Sequence, residues 1–136
     1  MDRERAEAFI AELHRAQEDL YSGGDPEPVR RLLAPEIVWR VPGSSPIAGA
    51  HRGANAVIVY MLRRRDLAGG TFRMARRDLL VGAGETFAAL TDGRATIGGR
   101  EHEWSTVGLY RLAGDRLAEC RLVPFDQGEF DTIWGG

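Results

Sequence analysis

Residues 71–124 hold four strand-like stretches set apart by three short glycine-bearing turns, and this limits the fold more than any other feature of the chain. The stretches are 71–81, 85–97, 100–112 and 116–124, joined by Gly82-Ala83-Gly84, Gly98-Gly99 and Ala113-Gly114-Asp115. Glycine supplies the positive φ that tight hairpin connections need, so consecutive stretches are expected to pair antiparallel. Asp92-Gly93 is a rival turn signal inside the second stretch and is read as a bulge.

The first half reads mainly as helix. Phe9, Ile10, Leu13, Leu20 and Tyr21 recur at three- and four-residue spacing in an amphipathic helix over 2–21, which Gly23-Gly24 stops. Asp25-Pro26-Glu27 restarts a short helix with an N-cap, a first-turn proline and an acid, and Ala34-Pro35 ends it near Leu33. A strand over 36–41 follows. Residues 42–53, with two prolines and three glycines, read as a loop. A third helix is expected over 54–67, with Val57, Ile58, Met61 and Leu62 on its apolar side. Arg63-Arg64-Arg65 falls in its last turns, where cations suit the helix dipole, and Gly69-Gly70 ends it. A short helix over 126–134, with Asp126 as its N-cap, completes the order α-α-β-α-β-β-β-β-α. Helices over one face of a mainly antiparallel sheet make this an α+β fold. The 136 residues suit one domain, 1–136, large enough to enclose a core or a pocket.

Composition narrows the function. The chain has 18 arginines, no lysine and 20 acidic residues, a net charge of −2, which does not suit a general nucleic-acid binder. Six arginines against one acid between residues 63 and 77 read as a helix end plus a solvated strand face. Cys120 is the only cysteine, so no internal disulfide is expected, and a reducing cytoplasm is the natural setting. The N-terminus carries no signal-peptide pattern. The longest uncharged apolar-rich run, 53–62, falls short of the ~18 residues a membrane span needs, and no membrane partner is expected. The three histidines lack paired ligand spacing, so neither a metal nor another cofactor is expected. Ser44, Ser45 and Ser105 have no adjacent His-Asp pattern.

Strand parity identifies candidate site residues. On 100–112 the even positions His102, Trp104, Thr106, Gly108 and Tyr110 share a face. Aromatic surface with hydrogen-bonding tips fits either a packed core or a small-molecule pocket. On the last strand Leu117, Glu119, Arg121 and Val123 share one face with Phe125, and Ala118, Cys120, Leu122 and Pro124 share the other. Glu119 and Arg121 read either as a surface pair or, with Arg121 inward, as a fixed positive charge for an anion. Trp39 has the opposite parity to Arg40 and reads as packing.

Several segments resemble the nuclear transport factor 2-like superfamily in its SnoaL-like branch. They are Trp39-Arg40-Val41-Pro42-Gly43, Ser45-Pro46-Ile47-Ala48-Gly49, His51-Arg52-Gly53, Gly70-Thr71-Phe72-Arg73 and the tail from Phe125 to Trp134. The resemblance covers nearly the whole chain. It implies a conical barrel of curved, mixed but mainly antiparallel sheet wrapped around helices, a cystatin-like roll. It also implies a deep pocket and a homodimer through the outer sheet face. The family orientation puts Arg40, His102, Trp104, Thr106, Tyr110, Arg121, Val123 and Phe125 inward. The base, buried acid and tyrosine of the ketosteroid isomerases align with Arg40, Thr106 and Gln17, and the last-strand carboxylate of the epoxide hydrolases aligns with Val123. Those two chemistries are therefore not expected.

The implied activity is that of a cofactor-free cyclase, isomerase or dehydratase acting by acid–base chemistry on a largely apolar, oxygenated molecule. His102 would move the proton, because a histidine titrates near neutral pH. Arg40, Arg121 and Thr106 would hold oxyanion character, and Trp104, Tyr110, Val123 and Phe125 would shape the pocket. Tyr60 on the third helix and His51 before it would reach the lining or its mouth. The alternatives are a non-catalytic ligand-binding protein with the same pocket and an interaction module working through the outer sheet face.

Overall fold

The computed structural model describes residues 1–135. In chain order the elements are α1 (Arg3–Tyr21), α2 (Glu27–Arg30), β1 (Leu33–Val41), β2 (Gly49–Arg52) and α3 (Ala54–Leu67). They continue with β3 (Arg73–Val81), β4 (Thr86–Ile97), β5 (Arg100–Ala113), β6 (Arg116–Pro124) and α4 (Gln127–Trp134). The six strands form one sheet in the order β2-β1-β6-β5-β4-β3. β1 runs parallel to β6 and every other neighbouring pair is antiparallel. The sheet is curved but not closed, with β2 and β3 as its edges. The α+β class and the curved, mixed, mainly antiparallel sheet expected from the sequence hold.

Three local expectations are corrected. The segment read wholly as loop contains β2, which pairs with β1 from Val38↔Arg52 to Val41↔Gly49. The second helix is a single turn, because β1 already begins at Leu33; the Asp25 carboxylate still accepts the Glu27 N–H at 2.8 Å. Asp92-Gly93 is not a bulge. The β4–β5 ladder runs through it unbroken, and the register shift lies on β3 between Arg76 and Asp78, where Arg77 is the extra residue.

Alternation places the core. On β4 the odd positions Phe87, Ala89, Thr91, Ala95 and Ile97 are buried, and on β5 Trp104, Tyr110 and Leu112 face the same way. α1 buries Ile10, Leu13, Gln17 and Leu20 against this face, and α3 buries Val57, Tyr60, Met61 and Arg64. α4 starts at Asp126, whose carboxylate accepts the Glu129 N–H at 3.0 Å, and it lays Phe130, Ile133 and Trp134 into the core.

Two glycines make room for rings. A Cβ at Gly93 would lie 2.6 Å from Cε2 and Cζ2 of Trp104, its cross-strand partner, and one at Gly108 would lie 2.6 Å from Cζ of Tyr110. The Tyr110 ring also stacks on Phe87 with centroids 5.1 Å apart. Gly108→Ala is thus an overpacking change. It is expected to lower unfolding free energy by about 1–3 kcal/mol in urea denaturation, whereas Gly128→Ala, with only one Asp126 atom at 3.6 Å, is expected to cost much less.

Candidate functional site

The parallel pairing of β1 with β6 decides which side chains reach the interior. It sets Trp39 beside Cys120 and Arg40 beside Arg121. Trp39, Ala118, Cys120 and Leu122 are buried, so the even face of β6 is the inner one. Arg40, Arg121 and Val123 lie on the outer face, and Phe125 stands exposed just past β6, contrary to the inward orientation expected for all four. Val123 is 43% exposed and Phe125 is 68% exposed. The physical reason is the composition of the two faces. Ala118, Cys120 and Leu122 can be buried at no electrostatic cost, whereas Glu119 and Arg121 would have to shed water. On the outside Arg40 Nη1 donates to Glu119 Oε1 at 3.0 Å, and Arg111 Nη2 reaches the other oxygen at 3.4 Å.

Inside, α1, α3 and the sheet enclose a chamber of about 30 Å³. Its polar lining comes from His14 and Gln17 of α1, Arg64 of α3, Thr91 of β4 and Thr106 of β5, with Trp39, Trp104 and Tyr110 supplying aromatic surface. That volume holds about one water molecule.

Arg64 dominates this interior. It is 4% exposed and its guanidinium carbon sits 4.5 Å from the Trp134 ring centroid, 4.6 Å from Phe72 and 5.6 Å from Tyr60. Its Nη1 donates to the Tyr60 hydroxyl at 2.8 Å. Among the described residues no carboxylate pairs with it, and Nε has no hydrogen-bond partner. The Thr91 hydroxyl and the Trp39 indole N–H, also in the chamber wall, are likewise unpartnered. Three aromatic faces contribute about 2 kcal/mol or more each at best to a desolvated cation, while moving the ion out of water costs several kcal/mol. Among the described residues the guanidinium is therefore sheltered by rings and the Tyr60 hydroxyl, with no carboxylate beside it.

The other titratable groups there are neutral. Burial, with the charge of Arg76 second, pushes the His14 imidazolium down to about 4, so His14 is an uncharged imidazole at neutral pH. Burial likewise raises the phenols of Tyr60, Tyr21 and Tyr110 and the Cys120 thiol, with the Arg64 charge pulling each of them the other way. An arginine stays protonated at any physiological pH. No Asp or Glu lines the chamber.

The expected site residues are thus divided. Trp104, Thr106 and Tyr110 line the chamber. Tyr60 sits behind it as the acceptor for Arg64. His51, on β2, stacks on Tyr60 with centroids 4.5 Å apart and places Nε2 2.9 Å from the Ile47 carbonyl oxygen, which braces that tyrosine. His102 is half-buried on the inner face of β5, two positions beyond Trp104, and does not line the chamber.

Arg64, His14 and Thr91 were missed as site residues, and Gln17 entered only by alignment. A signal for Arg64 was present: it follows Tyr60 by four residues and Met61 by three, and so shares their helix face. The Arg63-Arg64-Arg65 run hid it. His14 follows Ile10 by four and sits at the edge of the apolar stripe of α1.

A groove of about 780 Å³ adjoins the chamber, lined by Glu18 of α1, by residues of β3, β4 and β5, and by Phe125 and Glu129. Met74, Gly93 and Trp104 line both spaces. The Glu18 carboxylate accepts the Met74 N–H at 2.9 Å, fixing one side of this shared wall. Among the described residues no group of His, Cys, Asp or Glu is placed to hold a metal, and no helix is long and apolar enough to cross a membrane.

Comparison with known proteins fits this geometry. The SnoaL-like domain model matches residues 6–120. The uncharacterized protein Rv0034 of Mycobacterium tuberculosis is 24% identical over 114 residues, 84% of this chain and 87% of the relative. Among solved structures, Bal32a from a soil-derived mobile gene cassette superposes with a TM-score of 0.83 at 24% identity, covering 96% of this chain and 98% of that one. An NTF2-like protein of unknown function from Burkholderia pseudomallei gives 0.78 at 21% identity, with 100% of both chains covered. TerC, co-crystallized with polyporic acid, gives 0.79 at 15% identity, covering 97% and 99%. These structural likenesses establish the nuclear transport factor 2-like fold, and with a family model matched over most of its length the chain belongs to the SnoaL-like domain family.

Proposed function

We propose that the chain binds a small oxygenated organic molecule with its anionic oxygen on Arg64, and that it moves a proton on that molecule without a cofactor. The observation that carries this reading is the buried Arg64 guanidinium, caged by three rings, with no carboxylate partner and an unpartnered Nε. A fixed cation in a dry site is suited to charge that develops on oxygen, because the donors are already oriented and little water screens them. Thr91 and Thr106 add hydroxyls to the same wall, and Trp104 and Tyr110 bound the apolar part.

The reaction class supported is removal of a proton from carbon beside a carbonyl. The C–H bond breaks, its electron pair becomes the enolate π-bond, and the charge settles on the oxygen held by Arg64. Neutral His14 receives the proton. A bound anion favours the imidazolium form, so occupancy of the chamber raises the low affinity of His14 for a proton. Cyclase, isomerase and dehydratase reactions can all begin in this way. His102, expected to serve as the base, keeps that role only for a ligand that extends past Trp104. The same reading retains a homodimer through the outer sheet face, where Leu109 and Val123 are exposed beside Arg121, and a cytoplasmic setting.

One observation favours a second reading, a binding protein without catalysis: no carboxylate lines the chamber, and His14 is its only candidate base. Deuterium exchange from solvent into a bound enolisable ketone separates the two readings. Exchange lost in His14→Gln supports catalysis, and tight binding with no exchange supports the second reading.

Arg64→Met is expected to weaken binding of polyporic acid at least tenfold by calorimetry while leaving Tm unchanged or raised, since an uncompensated buried charge is replaced by an apolar chain. Equal binding by the variant overturns the role of Arg64. His14 makes stability pH-dependent with a defined sign. Its folded pKa, about 4, lies below the unfolded value of 6.5, so the unfolded chain takes up the proton first on acidification. Its contribution is complete above pH 6.5 and is lost as pH falls towards 4. The change is at most about 3.5 kcal/mol at roughly 1.4 kcal/mol per unit. Urea titrations of His14→Gln are expected to show a flatter profile over that window.

A further inference from the structure

The chamber has room for only the oxyanion end of the molecule just proposed, and the residues that close it point to where the rest would lie. About 30 Å³ admits the oxygen end of a carboxylate or enolate and nothing larger, whereas the adjoining groove offers about 780 Å³. Only Met74, Gly93 and Trp104 are shared between the two walls. Met74 is a flexible side chain and Gly93 has none, so the Trp104 ring is the one bulky rigid body of the partition.

We infer that Trp104 sets ligand specificity by separating a head-group chamber from a body groove. The ligand is then a bipartite acid, with its oxyanion on Arg64 and an apolar or aromatic body in the groove towards Phe125. This rests on the reading of Arg64 as the anion's partner. The position of the ring is set by what it touches. Trp104 is 6% exposed and lies over Gly93, where a Cβ would meet Cε2 and Cζ2 at 2.6 Å. It packs edge-on against Trp134 with centroids 5.4 Å apart, and Phe72 lies 5.5 Å away. Trp134 and Phe72 are also two of the three rings around Arg64, so one aromatic cluster carries both the cation and the partition. Groove composition suits a ligand body that is not itself strongly charged. Glu18, Asp92, Glu103 and Glu129 offset Arg73, Arg77 and Arg94 around it, and Met74, Trp104 and Phe125 give it apolar surface.

Two substitutions move the partition in opposite directions. Trp104→Phe shortens the ring and widens the passage. Gly93→Ala lifts the intact ring off the strand into the space above it and narrows the passage, at a position with no positive φ to strain. The test measures Kd for formate, benzoate and 4-phenylbenzoate by NMR titration against the unaltered chain, these two variants and Arg64→Met. Trp104→Phe is expected to raise affinity for 4-phenylbenzoate at least tenfold relative to formate, and Gly93→Ala to lower it by a similar factor. Formate is expected to change less than threefold in either. A pure packing role for Trp104 would weaken all three acids together and leave the ratio unmoved, which overturns the partition. If Arg64→Met abolishes binding of every acid while the ratio stays constant in the ring variants, the anion reading stands and the partition falls. If Arg64→Met binds as well as the unaltered chain, the anion reading falls and the bipartite ligand with it. If the unaltered chain takes only formate and Trp104→Phe admits the aromatic acids, both stand. No binding of any acid by any of the four proteins overturns both.

Discussion

The parallel register between β1 and β6 is the constraint on which the interior depends. A strand's side chains alternate between faces, so one residue of slip would exchange every inward group for an outward one. Trp39 beside Cys120 and Arg40 beside Arg121 settle the matter for both strands at once. The aromatic and thiol pair goes inside and the two arginines go outside. With those cations excluded, α3 supplies the only arginine that lines the chamber. The electrostatics of the chamber are therefore set by a pairing at the middle of the sheet, far in sequence from Arg64 itself.

Much of the fold was legible because its signals are local. Apolar spacing on α1 and α3, glycine pairs at their ends and three glycine turns between β3 and β6 each act within a few residues. β2 was not legible. Gly49-Ala50-His51-Arg52 has little strand propensity, and it becomes a strand because β1 offers it an edge to pair with. The inner face of β6 was misread for a related reason. Both faces of that strand carry apolar residues, and what separates them is the cost of taking Glu119 and Arg121 out of water, which the family resemblance does not weigh. The residues of β5 were placed on the correct face because Trp104, Gly108 and Tyr110 leave no comparable ambiguity.

The site was half legible. Alternation alone put Trp104, Thr106 and Tyr110 on one face and left core and pocket both open; that face is the one the chamber lies against. Arg64 could not easily be, since a run of three arginines near a helix end has a sufficient explanation in the dipole. What distinguishes Arg64 from Arg63 and Arg65 is phase. It falls beneath α4, whose Trp134 covers it, and that contact brings together residues seventy apart in sequence. A sequence pattern can mark the apolar stripe of a helix. It cannot state that the stripe continues through a charge when a distant helix supplies the ring that shelters it.

The chain separates its charges by face. Carboxylates and arginines pair on the outer surface, as in Arg40–Glu119–Arg111 and Arg77–Asp92. Among the described residues the chamber wall has one cation, and burial keeps the His14 imidazole uncharged beside it and pushes three phenols still further from ionising. As glue alone, Arg64 would be a poor choice, because a methionine would fill the same aromatic cage without a desolvated charge. As the anchor of an oxyanion the arrangement is economical. The rings hold the guanidinium in place, Tyr60 accepts from one of its nitrogens, and Nε has no hydrogen-bond partner among the described residues. A neutral histidine in the same wall then has a defined use, since its affinity for a proton rises only when an anion arrives. On the proposed reading, binding and proton transfer would be one coupled event, driven by the charge that a ligand's oxyanion brings to Arg64.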